Sequence, residues 1–175
     1  MRAFVTAAIA LCTCLLAGAA VAQAPAPAAA PAPVPDVMPF DIPYGTPITL
    51  GRAKEVTAAA IAEATKRKWK MAITIVDPNG DIVSLERMDG TQLASTTISP
   101  KKARAAVRFR RPTQVFFEQM ETGHPYVATL SKDVVGSPGG RPLVEDGKII
   151  GGIGVSGGAG AQDDVVAQAG AALIK

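Results

Sequence analysis

Cysteine is nearly missing from this chain: of 175 residues only Cys12 and Cys14 carry a thiol, and both lie close to the N-terminus. Histidine occurs once, at His124, tryptophan once, at Trp69, and aromatic residues make up only 5%. These scarcities exclude whole classes of chemistry. Beyond Cys14 no disulfide, thiolate nucleophile or cysteine–metal site can form, and a single histidine cannot build a multi-histidine zinc centre. Charge of one sign is lacking too, with 18 basic against 15 acidic residues. That balance carries no basic footprint for nucleic acid, so no nucleic-acid partner is expected.

What is present begins with an export pattern. Residues 1–22 read as a secretory signal peptide, with Arg2 as the charged region, an apolar stretch from Ala3 to Ala20, and Ala20-Val21-Ala22 as the cleavage site before Gln23. Cleavage removes both cysteines. It also removes Arg2, taking 18 basic residues to 17 against 15 acidic, a mature charge near +2. Cys14 follows Thr13 too early to serve as a lipoprotein anchor. No stop-transfer segment follows the apolar stretch, so the expectation is a periplasmic or secreted protein with no membrane span. Residues 23–39 are almost entirely Ala, Pro and Val, a composition that favours extended polyproline II and cannot bury a core. They read as a tether to a single domain over residues 40–175.

Within that domain, Thr49 is placed to cap a helix on which Leu50, Ala53, Val56, Ala60, Ile61 and Ala64 recur at helical spacing, ending near Lys68. Met71 to Val76 and Asp81 to Met88 read as strands joined by the turn Asp77-Pro78-Asn79-Gly80. Ser99-Pro100 reads as a helix start, running to about Phe109, and Thr113 as the cap of a short helix over Gln114 to Glu121. Pro142 to Val144 and Lys148 to Val155 form a second hairpin around an Asp-Gly turn, before a last helix from Gln162 to Ile174. Strands joined by tight turns predict an antiparallel sheet with helices packed on it, an α/β arrangement of the α+β kind.

The segment GGRPLVEDGKIIGGIGVSGG, Gly139 to Gly158, carries two readings. Gly152, Gly154 and Gly157 match the G-x-G-x-x-G spacing of a dinucleotide loop, but no following strand completes the βαβ unit that motif requires. As a hairpin strand it puts Ile149, Gly151, Ile153 and Val155 on one face. Ile150, Gly152, Gly154 and Ser156 lie on the other. That second face is nearly bare and suits a helix, another subunit or a planar ligand, helix packing being the ordinary use.

YGTPITLGRAKEVTAAAIAEA, ITIVDPNGDIVSLERMDGTQLAS, KKARAAVRFRRPT, the glycine segment and QDDVVAQAGAA, in this order from Tyr44 to the C-terminus, resemble the GlcG/HbpS family (the DUF336 group). The resemblance implies a profilin-like α/β/α sandwich whose antiparallel sheet has five strands and helices on both faces. It further implies a homo-oligomer and, in some members, binding of haem or a related tetrapyrrole. The family's members are better known as binding and sensing modules than as enzymes. One departure is Ala105, where a threonine is common in the family, so no hydroxyl ligand carries over there.

Candidate ligand-binding residues follow. Lys101, Arg104, Arg108 and Arg111 fall at helical spacing and make one basic face, either a solvated surface or an anion site for carboxylates such as haem propionates. Gly152 and Gly154 would admit a planar ring. His124, held in a loop by Pro125, is chemically apt as an axial ligand to haem iron; Tyr126, Met120 and Met88 are weaker candidates. Glu86 and Arg87 project to opposite strand faces and make no acid–base pair, and Ser156 lacks the G-x-S-x-G setting of a nucleophile. No catalytic residue emerges. The expected function is an exported small-ligand-binding protein with haem as the suspected cofactor. The alternative is a lyase, isomerase or hydrolase acting on an organic acid at a subunit interface, and a third option is a structural or sensory partner protein.

Overall fold

A computed structural model of the chain describes residues 34–175. In order come α1 (Leu50–Lys66), β1 (Ala72–Val76), β2 (Ile82–Arg87), α2 (Ser95–Arg108), α3 (Gln114–Glu121), a 3₁₀ turn (Pro125–Thr129), β3 (Gly140–Glu145), β4 (Lys148–Ser156) and α4 (Gly160–Ala171). Thr49 caps α1 as expected, its side chain accepting from the Arg52 amide. The two hairpins also form where their turn residues predict. Asp146 and Gly147 both take positive φ, 49° and 72°, the backbone that a two-residue hairpin turn demands.

The strands pair antiparallel in the order β2-β1-β4-β3. The described residues therefore give a four-stranded sheet, and the expected fifth strand is corrected. The segment before α1 runs beside β4, with Gly45 donating to the Ile149 carbonyl and the Ile149 amide to that of Pro43. Its pairing reaches only a single bridge, Tyr44 to Ile149. Pro43 and Pro47 lack the amide protons that a continuous ladder would need.

Helices cover both faces. On one, Ala53, Val56, Ala60 and Ala64 of α1 and Val166 and Ala167 of α4 pack against Ile73, Ile75, Ile153 and Val155. On the other, Ala103 and Val107 of α2 meet Val76 and Ile149. Beyond α2, Ala105 joins Phe116 and Val127 in a small third cluster. Ile149 is on the opposite face from the one strict alternation assigns. In the β3–β4 register Leu143 sits across from Gly151 and Val144 across from Ile149, so Ile150 is an extra residue, a bulge that reverses the phase of the strand's first residues.

The start of α2 also differs from expectation. The helix begins at Ser95 and carries Pro100 inside it. Two buried hydroxyl pairs hold this added turn to the sheet: Ser99 with Thr74 at 2.8 Å, and Ser156 donating to Ser95 at 3.1 Å. They supply anchorage that the proline cannot give through a backbone donor.

Candidate functional site

The site is built by the flank of α2 that faces the edge strand β2. Asp77 closes the β1–β2 turn, its carboxylate accepting from the amides of Asn79 and Asp81, both at 2.9 Å. Two arginines one helical turn apart then grip that turn from α2. Arg104 donates through Nε to the Gly80 carbonyl at 2.9 Å, and Arg108 donates through Nη2 to the Asn79 carbonyl at 3.3 Å. Arg108 also pairs with Asp133, which brings in the loop after the 3₁₀ turn.

These ties leave an open cavity of about 440 Å³ walled by Thr97, Pro100, Lys101 and Arg104 of α2, Ile82 of β2, and Lys132 with Asp133 from the loop. Its volume is in the ordinary range of small-ligand sites. Its chemistry is one-sided. Among the described residues Lys101, Arg104 and Lys132 form no ion pair, while Asp133 is already taken by Arg108. Ile82 is exposed, and Leu85, its neighbour along β2, is at the margin of exposure. Ile82 pairs with Val76 and Leu85 with Thr74, which places both on the α2 side of the sheet. The arrangement offers an apolar strip beside three cations without ion-pair partners, suited to an apolar body that carries carboxylates.

The expected site residues are scattered by the fold. Arg104 lines the cavity, and Arg108 supports it from behind. Arg111 leaves the face because α2 ends at Arg108 and Arg110 turns the chain with φ 54°. It stacks instead over Phe40, 4.0 Å from the ring centroid, and donates to the Phe109 carbonyl. Burial, and then the neighbouring Arg110, push its pKa down from the usual guanidinium range. His124 does not line the cavity. It is exposed at the start of the 3₁₀ turn, its ring 6.1 Å from that of Tyr126. Its ψ of 55° falls short of the expected extended form because its carbonyl accepts from the Val127 amide to open the turn.

Gly152 and Gly154 face α2, which fills the space above them. A Cβ on Gly154 would lie 2.0 Å from the Ser99 carbonyl oxygen, and one on Gly152 would lie 2.6 Å from a Val107 methyl. The bare face therefore admits a helix at very short range and leaves no gap for a planar ring. Ala105 is buried beneath Phe116 and Val127 and does not line the cavity.

Sequence reasoning missed the most buried charges among the described residues. Lys102 and Asp163 are 1% and 2% exposed. The Lys102 ammonium donates to Asp163 at 2.7 Å and to the Pro138 carbonyl at 2.6 Å, while Asp163 also accepts from the Gly158 amide. Burial pushes the Lys102 pKa down and that of Asp163 up, and their mutual attraction opposes both shifts. The signal was available. Lys102 shares a helical stripe with Ser95, Ser99, Ala103 and Ala106, all buried, whereas Lys101 lies on the other side. The pair clamps α2 to the start of α4 and so fixes the helix that presents Lys101 and Arg104.

Comparison with known proteins places this geometry in a family. A family model described as "Haem degrading protein HbpS-like" matches residues 48–172. Protein GlcG of Escherichia coli (strain K12) is 39% identical over 104 residues, covering 59% of this chain and 77% of GlcG. The crystal structure of PduOC in complex with haem matches with a TM-score of 0.69 at 31% identity, covering 74% of this chain and 96% of that one. A double mutant of HbpS from Streptomyces reticuli also matches with a TM-score of 0.69, at 29% identity, covering 84% and 99% of the two chains.

Proposed function

The chain belongs to the HbpS-like family, and from that premise we propose that it is an exported binding protein for haem or a related tetrapyrrole, held in the cavity between α2 and β2. The observation that carries this reading is the set of three cations without ion-pair partners beside an apolar strip. Lys101, Arg104 and Lys132 would pair the ring's carboxylates, and Ile82 and Leu85 would lie against its edge. Support comes from a structural relative solved with haem and from a family described by haem chemistry. The lining offers cations for the carboxylates and, in Ile82 and Pro100, an apolar edge for the ring, but no axial ligand, since it includes no His, Met, Cys or Tyr. What haem would supply is its iron. What this chain's residues do is orient and neutralise the group around it.

Titration of the purified protein with hemin tests the reading through a saturable Soret shift. Each charge-assisted hydrogen bond contributes about 1.5–3 kcal/mol. Lys101→Gln and Lys132→Gln should therefore each weaken hemin by about tenfold or more. Unchanged affinity in both would remove the cavity as the site. His124→Ala separates the two locations: an unchanged spectrum keeps the α2–β2 cavity, and a changed one moves the iron to the turn before Pro125.

A second reading is enzymatic, with the same cations anchoring a small organic acid. The carboxylate lining the cavity, Asp133, is held by Arg108 and so is poorly placed to move a proton. Binding is accordingly the reading the geometry favours.

A further inference from the structure

At the other end of β2 lies a different cavity, of about 340 Å³, walled by Lys68, Trp69, Lys70 and Met71 after α1, Gln92 before α2, and Gln162 of α4. Gly90, Gly157 and Gly158 complete its rim without side chains. The run Lys66-Arg67-Lys68-Trp69-Lys70 is the one place where the chain sets cations around its single tryptophan.

The backbone that builds this rim is costly. Helix α1 ends with Trp69 donating to the Ala64 carbonyl at 2.9 Å and Lys68 to that of Thr65 at 3.0 Å. This termination ordinarily uses glycine at the left-handed position. Here Lys68 occupies it, with φ 59°. A lysine held where glycine would be free of strain is a reason to look for what its side chain does.

The charges around it are not equivalent. Arg67 is committed, paired with Glu63 and stacked 5.0 Å from the Trp69 ring centroid. Lys68 and Lys70 are exposed and, among the described residues, form no ion pair. The Lys70 stem lies over Gly90, where an added Cβ would come 2.9 Å from its ammonium. Trp69 is partly buried and packs against the main core, so the part of it left exposed is the apolar surface on that side.

We propose that this cavity is a second ligand site, for a small amphiphilic carboxylate whose apolar body rests on Trp69 while Lys68 and Lys70 hold its carboxylate. The inference is independent of the tetrapyrrole reading and uses none of the same residues. Because Trp69 is the sole tryptophan, its emission reports this cavity directly.

The test is a fluorescence titration of the mature protein with cyclohexanecarboxylate, and with cyclohexylmethanol as the neutral isostere. A saturable blue shift is expected for the acid, with the alcohol weaker by about tenfold or more. Lys68→Gly should raise the thermal midpoint, since it removes the left-handed strain, while weakening the acid by a similar factor. Lys70→Gln should weaken the acid without moving the midpoint. The Soret titration with hemin should be unchanged in both variants. No saturable response to the acid overturns the proposal, as does equal binding of the alcohol or a Lys68→Gly protein that gains stability with undiminished affinity. Loss of hemin binding in these variants overturns it as well, by making this cavity the tetrapyrrole site.

Discussion

Gly154 shows how a single residue sets the distance between two layers. With no side chain, its strand approaches the first turns of α2 until a Cβ would lie 2.0 Å from the Ser99 carbonyl and 2.5 Å from the Ala103 amide nitrogen. Both obstacles are backbone, so neither can rotate aside. Overpacking a tight core typically costs about 1–3 kcal/mol, and contact with fixed backbone belongs at or beyond the upper end. Gly154→Ala should lower stability by at least about 3 kcal/mol in urea unfolding, with the Thr74–Ser99 and Ser95–Ser156 hydroxyl pairs pulled apart. A loss below about 1 kcal/mol would mean that α2 can ride away from the sheet more easily than its contacts imply. His124 is the contrasting residue. Exposed and outside the cavity, it should tolerate replacement by Ala with no measurable change in unfolding midpoint.

Among the elements, α2 is the keystone. Its inner face carries alanines and hydroxyls against the sheet, its outer flank carries Lys101 and Arg104, and Lys102 points sideways to Asp163 at the start of α4. A buried ion pair is weak evidence for net stability, because desolvation offsets most of the attraction. Removing one partner is different, since a charge is then stranded in the core. Asp163→Asn should cost about 3–5 kcal/mol, while the double replacement Lys102→Met with Asp163→Leu should recover most of that loss. A double-mutant cycle from urea unfolding measures it. Strict additivity of the two replacements would mean that the pair does not act as a unit. If the clamp's task is to present the outer flank of α2, the double variant should bind hemin more weakly even where its stability is restored.

At the scale of the whole molecule the chain divides by composition before it divides by structure. The signal peptide expected over residues 1–22 and the Ala/Pro-rich composition of residues 23–39 lead to a prediction about the mature protein. Its mass after expression in an exporting bacterial host should correspond to a start at Gln23, and it should react with no thiol reagent, since that cleavage would remove Cys12 and Cys14. Retention of either thiol would remove the cleavage assignment. A chain beginning at Val34 should unfold at the same midpoint as the mature protein, since the described helices and sheet lie between Leu50 and Ala171. Among the described residues no helix is long and apolar enough to cross a membrane.

Much of this was legible in local spacing. The Asp77–Gly80 and Asp146–Gly147 turns, the Thr49 cap, the limits of α3 and the antiparallel pairing all follow from residues close together in the chain, whose conformational preferences act over a few bonds. So did the order of motifs that carries the family. Local spacing could not decide what lies across a gap. Whether the glycine face of β4 meets a ring or a helix, whether Arg111 stays on the basic flank, and how Ile149 faces after the bulge at Ile150 each depend on packing between distant segments. Lys102 and Asp163 are the plainest case, being 61 residues apart and joined only when two helices and a loop close over them. Sequence by itself determined most of the elements and the few residue types open to site chemistry. The tertiary structure alone decided which charges are buried and spent, and which remain open to a ligand, because burial belongs to the folded whole and to no single stretch of it.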